Sequence, residues 1–247
     1  MILGSSDIKL ALGNEEVQKA FLGTTPVYEQ TDRFTLLYEW NPTNWASGDW
    51  FDRVSGYTFS KIGTPTKGKD DGLPYILMDY NNCFRRTGNT SGPAIPRNWM
   101  WEITFMRTIT VAGKDWVIVD WGSYGSASTG GIGLILGSDG KIRTNCKPTN
   151  NTIVGNVTHS KVLSDNAKYT VRMGCEMYSA SQDIQWIEID GVKVTASTPH
   201  NPFTGLNKPN LGRFFGRGCI NNSGSSVYHN GTGRLYSIKI FQDNKTI

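Results

Sequence analysis

The sequence predicts an all-β protein built as a large antiparallel sandwich. Glycine is abundant, with 28 residues among 247, and asparagine, serine and threonine are frequent, which is typical of short strands joined by many turns. Helix signals are nearly absent. The apolar fraction of 38%, including 11% aromatic residues, supplies one sizeable core. One sandwich domain over residues 31–247, preceded by a short segment over residues 1–30, therefore accounts for the chain.

The predicted strands begin at Phe34 and recur at the spacing of a sandwich. Residues 169–177 alternate apolar and polar side chains, which is the pattern of a half-buried strand. Residues 99–107 and 115–121 are longer and more apolar, which predicts central strands covered on both sides. Further strands are predicted at residues 34–40, 57–62, 75–80, 132–136, 141–144, 184–189, 192–196 and 234–242.

Two Asp-Gly pairs mark β-hairpins. Asp139-Gly140 and Asp190-Gly191 each stand between two strand-like runs, and Asp-Gly supplies the positive φ angles of a two-residue turn. Residues 15–21 contain the one plausible helical turn, but the repeat to which they belong argues against a helix.

A short sequence motif is repeated three times at the start of the chain. Leu-Gly pairs begin nine and ten residues apart, and each is followed, five residues after its leucine, by a β-branched residue. A repeat this short cannot bury its own apolar side chains, and it is too apolar for a solvated tail. A disordered leader and an ordinary first strand are the alternatives. We interpret residues 1–30 as an attachment segment suited to strand addition or intertwining with other copies. Its anchor residues are Leu3, Gly4, Ile8, Leu12, Gly13, Val17, Leu22, Gly23 and Val27.

Several motifs in residues 33–247 together resemble one family. They are the segment 49–56 (DWFDRVSG), the strand-and-hairpin runs 169–173 and 187–194, and the closing run 233–240. In their order and spacing they resemble the concanavalin A-like (laminin-G-like) jelly rolls. The resemblance implies an antiparallel sandwich of two stacked, curved sheets whose concave face or rim loops often bind sugars.

The opening repeat carries a second resemblance. Tandem Leu-Gly words ahead of a jelly-roll module resemble the N-termini of fibre and head-decoration proteins from tailed phages of gut bacteria. This implies that residues 1–30 dock on capsid or tail proteins and that the jelly roll faces outward, commonly as a homotrimer. The implied location is the virion surface, after assembly in the host cytoplasm. Whether the protein belongs to the head or the tail stays open.

Glycan binding requires flat aromatic rings with a few amide or carboxylate groups beside them. The segment 41–50 is the most site-like, since it places Asn44, Trp45 and Trp50 in one irregular stretch. Tyr124, Asn221 and Tyr228 complete the candidate ligand-binding residues. The alternative for each tryptophan is a place in the core or at the end of a sheet.

Catalysis is not expected. Retaining glucanases with this kind of fold carry Glu-x-Asp-x-Glu on one strand, so that alternate carboxylates share a face. Glu188 and Asp190 begin the pattern, but Val192 stands where the last glutamate is needed. The three histidines lie in loop-like segments without a nucleophile motif. A polysaccharide depolymerase remains the alternative function.

Cysteine and carboxylate patterns indicate no cofactor. Four well-separated cysteines without a Cys-x-x-Cys pair do not match the ligand spacing of a zinc site. Cys175 lies on the apolar face of its strand, which favours a buried free thiol, although disulfides stay open. Calcium would need clustered oxygen ligands; residues 70–72 and 79–82 come nearest, and turns explain both better.

The charge and hydropathy patterns exclude two classes of partner. The net charge is only +4, and lysines and arginines are scattered without the basic stripe that nucleic-acid binding requires. We expect no membrane insertion, because no apolar run is long enough to span a bilayer. No signal-peptide pattern is visible at the N-terminus.

Overall fold

The structure is a computed structural model. It describes residues 34–79, 81–86, 97–109, 115–121, 131–147, 156–200, 213–215 and 231–244, together with 11–12, 15–16, 19–22 and 25–29. Contacts divide the chain into two units, Met1–Phe34 and Thr35–Ile247.

The described part of the first unit consists of two small antiparallel sheets. β1 (Ala11–Leu12) pairs with β2 (Glu15–Glu16), and β3 (Lys19–Leu22) pairs with β4 (Thr25–Glu29). The register places Leu12 opposite Glu15 and Leu22 opposite Thr25, so two of the repeated leucines end the first strand of a pair. Short β segments are therefore present where the repeat predicts them. Among the other anchor residues, Val27 lies in β4. Leu3, Gly4, Ile8, Gly13, Val17 and Gly23 lie outside the described residues.

The second unit contains two large antiparallel sheets. The first sheet has the order β15-β14-β13-β12-β19-β10-β7-β6. Its strands are β6 (Trp50–Phe51), β7 (Thr58–Ile62), β10 (Cys83–Arg86), β12 (Trp116–Trp121), β13 (Gly131–Leu136), β14 (Lys141–Lys147), β15 (Thr158–Val162) and β19 (Arg213–Phe215).

The second sheet has the order β18-β17-β16-β11-β20-β9-β8, and β5 also pairs with β20. Its strands are β5 (Phe34–Trp40), β8 (Thr66–Asp70), β9 (Leu73–Met78), β11 (Trp99–Ile109), β16 (Tyr169–Ser179), β17 (Gln182–Ile189), β18 (Val192–Thr195) and β20 (Thr232–Asp243). The all-β antiparallel sandwich is therefore confirmed.

The core lies between the two sheets. One buried cluster takes Trp116 and Leu134 from the first sheet and Trp101 and Met173 from the second, because alternate side chains of each strand point inward. Cys175 belongs to this cluster as the predicted buried free thiol. Burial raises the pKa of that thiol well above its usual range, so it behaves as a small apolar side chain.

The two predicted hairpins differ in their turns. Asp190 and Gly191 both have positive φ angles, of 51° and 76°, between paired Ile189 and Val192, so the two-residue turn is confirmed. At the other hairpin the prediction of a two-residue turn is wrong. Only Gly140 has a positive φ angle there, and the amide of Gly137 donates to the Lys141 carbonyl. That geometry belongs to a three-residue loop with glycine in the left-handed position.

Among the described residues, no helix is long and apolar enough to cross a membrane.

Candidate functional site

The two tryptophans of the segment 41–50 belong to the core of the sandwich. Trp45 is 4% exposed and Trp50 is fully buried, and both rings pack against Phe84, with centroids 5.4 and 5.1 Å away. Their indole nitrogens donate to the backbone, Trp45 to Gly48 and Trp50 to Asn41. This corrects the prediction of a sugar platform at these two rings, because neither has a face open to a ligand.

The remaining predicted ligand-binding residues do not form a site with these rings. Asn44 is half-buried in a short 3-10 turn, Pro42–Asn44, whose first amide is capped by the side chain of Asn41. Tyr124, Asn221 and Tyr228 lie outside the described residues. Trp45 and Trp50 therefore meet at Phe84 in the core, whereas Asn44 belongs to the neighbouring turn.

The 49–56 motif is organised by one buried carboxylate. Asp52 is 1% exposed. It accepts hydrogen bonds from the amides of Glu39 (2.9 Å), Val54 (2.8 Å), Ser55 (2.9 Å) and Tyr57 (3.2 Å), and a short one from the Ser55 hydroxyl. Burial raises the pKa of Asp52, but these hydrogen bonds outweigh burial and hold the pKa below its ordinary value,. The motif is thus a structural turn.

The partial glucanase motif does not place two free carboxylates on one face. Glu188 lies 3.4 Å from Arg172 in an ion pair. Asp190 sits in the β17–β18 turn and pairs with Lys161. Both carboxylates are therefore engaged in contacts that a structural role explains.

The strongest surface candidate is a group that we call the tyrosine cluster. It consists of Asp70, Tyr75, Lys168, Arg234 and Tyr236. Asp70 ends β8, Tyr75 lies on the neighbouring β9, and Arg234 and Tyr236 lie on β20 beside β9. Lys168 immediately precedes β16. The sheet order thus assembles residues that are up to 166 positions apart.

A glycine lets the Tyr75 ring lie against the sheet. Gly68 is the cross-strand partner of Tyr75, and a Cβ placed on Gly68 would be 2.4 Å from the tyrosine Cζ and hydroxyl. Only a residue without a side chain permits this approach. The hydroxyl end of the tyrosine ring therefore lies over Gly68 of β8.

Asp70 links the polar members of the cluster. Arg234 Nη1 donates to both carboxylate oxygens of Asp70, at 2.7 and 2.6 Å, and the Tyr236 hydroxyl donates to Oδ2. The hydrogen bond from Tyr236, together with Arg234, lowers the pKa of Asp70. Burial and the Asp70 charge raise the pKa of Tyr236, so its hydroxyl stays a donor.

Cations cover parts of the two rings. The Arg234 guanidinium carbon lies 4.7 Å from the Tyr75 centroid, and Lys168 Nζ lies 5.5 Å from that of Tyr236. The two rings meet at 66° with centroids 5.8 Å apart. The side chains of Arg234 and Asp70 keep 29% and 25% of their surface exposed. The cluster therefore presents a ring, donors and acceptors to solvent.

A row of alternating charges crosses the same sheet. The register aligns one side chain from each of five neighbouring strands: Lys193, Glu188, Arg172, Glu102 and Lys239. Within this charge row, Arg172 lies 2.9 Å from Glu102. Because opposite charges stand side by side, the row is largely self-neutralised and does not attract a strongly charged partner.

The residues considered for calcium form turns. Asp71 and Gly72 have positive φ angles in the β8–β9 hairpin, and Asp79 accepts hydrogen bonds from the amides of Asn81 and Asn82. Within the described part of the chain, no group of three or more histidine, cysteine, aspartate or glutamate side chains could hold a metal ion.

Comparison with known proteins bears on the fold. No protein-family model and no curated protein sequence matches the chain. Among solved structures, it is similar to domain 4 of AbnA, an extracellular GH43 arabinanase from Geobacillus stearothermophilus solved in complex with arabinotriose. The TM-score is 0.60 at 10% identity, over 87% of this chain and 96% of that domain.

Two longer proteins contain a similar region. The binding domain of botulinum neurotoxin serotype D/C matches with a TM-score of 0.55 at 12% identity, over 85% of this chain. The sialidase of Trypanosoma rangeli matches with a TM-score of 0.53 at 9% identity, over 90% of this chain. The chain spans 49% of the former and 32% of the latter. These matches show that the sandwich resembles concanavalin A-like jelly-roll domains.

Proposed function

We propose that this chain is a non-catalytic display protein whose sandwich binds glycans. Residues 1–30 would attach it to the capsid or tail of a phage as a head-decoration fibre or tail fibre, exposed on the virion surface after assembly in the host cytoplasm. A homotrimer suits this arrangement.

The glycan-binding part of the proposal rests on the structural similarity to AbnA domain 4. That domain matches over nearly its whole length and was solved in complex with arabinotriose. The tyrosine cluster supports the same proposal, because its ring and its polar groups are of the kind that line sugar sites.

The small sheets of the first unit support attachment. Two-stranded sheets of this size are marginal in water on their own, and residues Met1–Phe34 form a contact unit of their own. A partner surface or neighbouring copies would supply the missing burial. The phage assignment rests on the resemblance of the Leu-Gly repeat.

The absence of catalysis is also part of the proposal. Glu188 and Asp190 are each paired with a cation, which does not suit the acid and nucleophile roles of a glycosidase. A depolymerase would release reducing ends from host surface polysaccharide in a Glu188-dependent manner. We expect none.

The attachment proposal is tested by immunogold labelling of intact particles with an antibody to this chain. We expect regular labelling of the head or the tail. A variant lacking residues 1–30 should keep the far-ultraviolet circular dichroism of a β protein but should not join particles. Normal incorporation of that variant would overturn the attachment role.

A further inference from the structure

We propose that the tyrosine cluster is the sugar-binding site of the sandwich and that it takes a neutral, hydroxyl-rich oligosaccharide. This inference rests on the proposed glycan-binding function and adds the location of the site and the class of sugar.

Tyr75 provides the apolar surface of the site. Its ring is half-buried, with its hydroxyl end against Gly68, while Tyr236 meets it edge-on and is itself 5% exposed. The ring contacts Gly68, Tyr236 and the Arg234 guanidinium, whose carbon lies 4.7 Å from the ring centroid. It therefore loses little conformational entropy when a sugar packs on the part of the ring that stays exposed. The carbon–hydrogen face of a sugar ring is the matching apolar surface.

Asp70 and Arg234 provide the polar contacts. A carboxylate has about four lone-pair sites and a guanidinium has five N–H donors. Asp70 accepts three hydrogen bonds from Arg234 and Tyr236, and Arg234 uses one nitrogen, Nη1, for both of its bonds to Asp70. Both side chains are partly exposed. The pair can therefore accept a hydrogen bond from one sugar hydroxyl and donate to its neighbour.

The charges favour a neutral sugar over an acidic one. Arg234 already makes two hydrogen bonds to the carboxylate of Asp70, so a sugar carboxylate would compete with that pairing and meet the negative charge of Asp70. Lys168 lies at the rim and is exposed to solvent, where a lysine charge is strongly hydrated and screened. Asp70 and Arg234 neutralise each other and keep hydrogen-bonding capacity, so the hydroxyl groups of a neutral sugar are the most suitable partners.

The experiment measures binding of the full chain by isothermal titration calorimetry. The neutral probes are arabinotriose, xylotriose, cellotriose and maltotriose, and the acidic probe is trigalacturonate. We expect at least one of the neutral trisaccharides to bind. We expect trigalacturonate to bind with lower affinity than that neutral trisaccharide. Tyr75→Ala and Arg234→Ala should each weaken binding by about tenfold or more, whereas Tyr75→Phe, which keeps the ring, should lose less.

Tyr178→Ala is the matched control. Tyr178 is 59% exposed and lies in β16, about 30 Å from the end of the strand beside Lys168. Its replacement should leave binding unchanged. Thermal unfolding checks that each variant is folded, and Tyr75→Phe remains informative if Tyr75→Ala unfolds.

The outcomes separate the inference from the function on which it rests. Full neutral-sugar binding by folded Tyr75→Ala and Arg234→Ala would overturn this site while leaving glycan binding intact. Tighter binding of trigalacturonate would overturn the preference for neutral sugars. Failure of the unaltered protein to bind any of the five probes would overturn the glycan-binding function together with the site.

Discussion

Two aspartates of the sandwich, Asp52 and Asp70, each accept several hydrogen bonds, but they do so in different surroundings. Asp52 is buried and receives most of its bonds from backbone amides of its own turn. Asp70 keeps a quarter of its surface exposed and is bonded by two side chains from a distant strand. A saturated, buried carboxylate therefore stabilises the fold, whereas a half-exposed carboxylate in an ion pair retains capacity to bind a ligand.

Replacing Asp52 should have the largest effect on stability. Asp52→Ala leaves backbone donors of Glu39, Val54 and Ser55 without their acceptor in a buried place, and we expect the free energy of unfolding to fall by about 3 kcal/mol. Chemical denaturation measures this loss. Asp49→Ala is the control, because Asp49 is exposed and makes only longer bonds of 3.3 Å in the same segment. Equal losses in the two variants would contradict the structural role of Asp52.

Two glycines extend the comparison to ring packing. A Cβ on Gly174 would lie 2.4 Å from the Trp186 ring, which is 4% exposed, so Gly174→Ala should cost about 2 kcal/mol of unfolding free energy. A Cβ on Gly68 meets the half-exposed end of Tyr75 instead. Because Tyr75 is only half-buried, displacing its ring leaves no cavity in the core, so Gly68→Ala should cost less than about 1 kcal/mol. The displaced ring should nevertheless weaken sugar binding. Thermal unfolding and calorimetry together distinguish these two results.

Acid should weaken the buried turn through a defined pH window. The folded-state pKa of Asp52 lies below the ordinary value of about 3.9,, so its contribution is complete above about pH 5 and is lost as pH falls through the folded-state pKa. We expect the stability of the unaltered protein to fall between about pH 5 and pH 2. Asp52→Asn should show a shallower fall when denaturation curves are compared across that range. If the dependence of stability on pH is the same with and without this substitution, titration of Asp52 is not the cause of the fall.

The charge row should contribute least. Arg172 is 47% exposed and pairs with Glu102 and Glu188, and exposed pairs of this kind contribute little. Arg172→Ala should lower the free energy of unfolding by about 0.5 kcal/mol in low salt and by less at about 0.5 M NaCl. A loss as large as that of Asp52→Ala would show that exposure does not separate structural from dispensable charges in this protein.

The sequence predicts well those strands that bury one face or both faces in the core. β5 and the long β11, β16 and β20 were predicted close to their observed bounds, because alternation and continuous apolar runs report burial directly. β8 (TKGKD) and β15 (THSKV) were missed since these two strands are short, polar and lie at or next to a sheet edge, where pairing rather than burial fixes the conformation.

The candidate site could not be predicted from the sequence, because it depends on contacts between residues that are far apart in the chain. The segment 41–50 concentrates aromatic residues locally, and the sequence could not show that Phe84, more than thirty residues away, buries two of them. The tyrosine cluster has no local signal, because its members come from β8, β9, β20 and the start of β16. Because the sequence does not predict β8, Gly68 is not recognisable as a strand glycine that permits a close approach. Its partner Tyr75 is visible only in the sheet register.

The position of β20 has a consequence for biosynthesis. This strand pairs with β11 along most of its length and joins β9 to the rest of the second sheet. Until β20 is translated, β9 and β11 lack the strand that lies between them in the folded sheet, so any sheet formed by the earlier strands has open edges there. Open edges can pair with other chains. The correct pairing of β20 with β9 joins residues far apart in the sequence, and pairing of this kind is slow. We therefore expect newly made chains to depend on chaperones until residues 232–243 emerge.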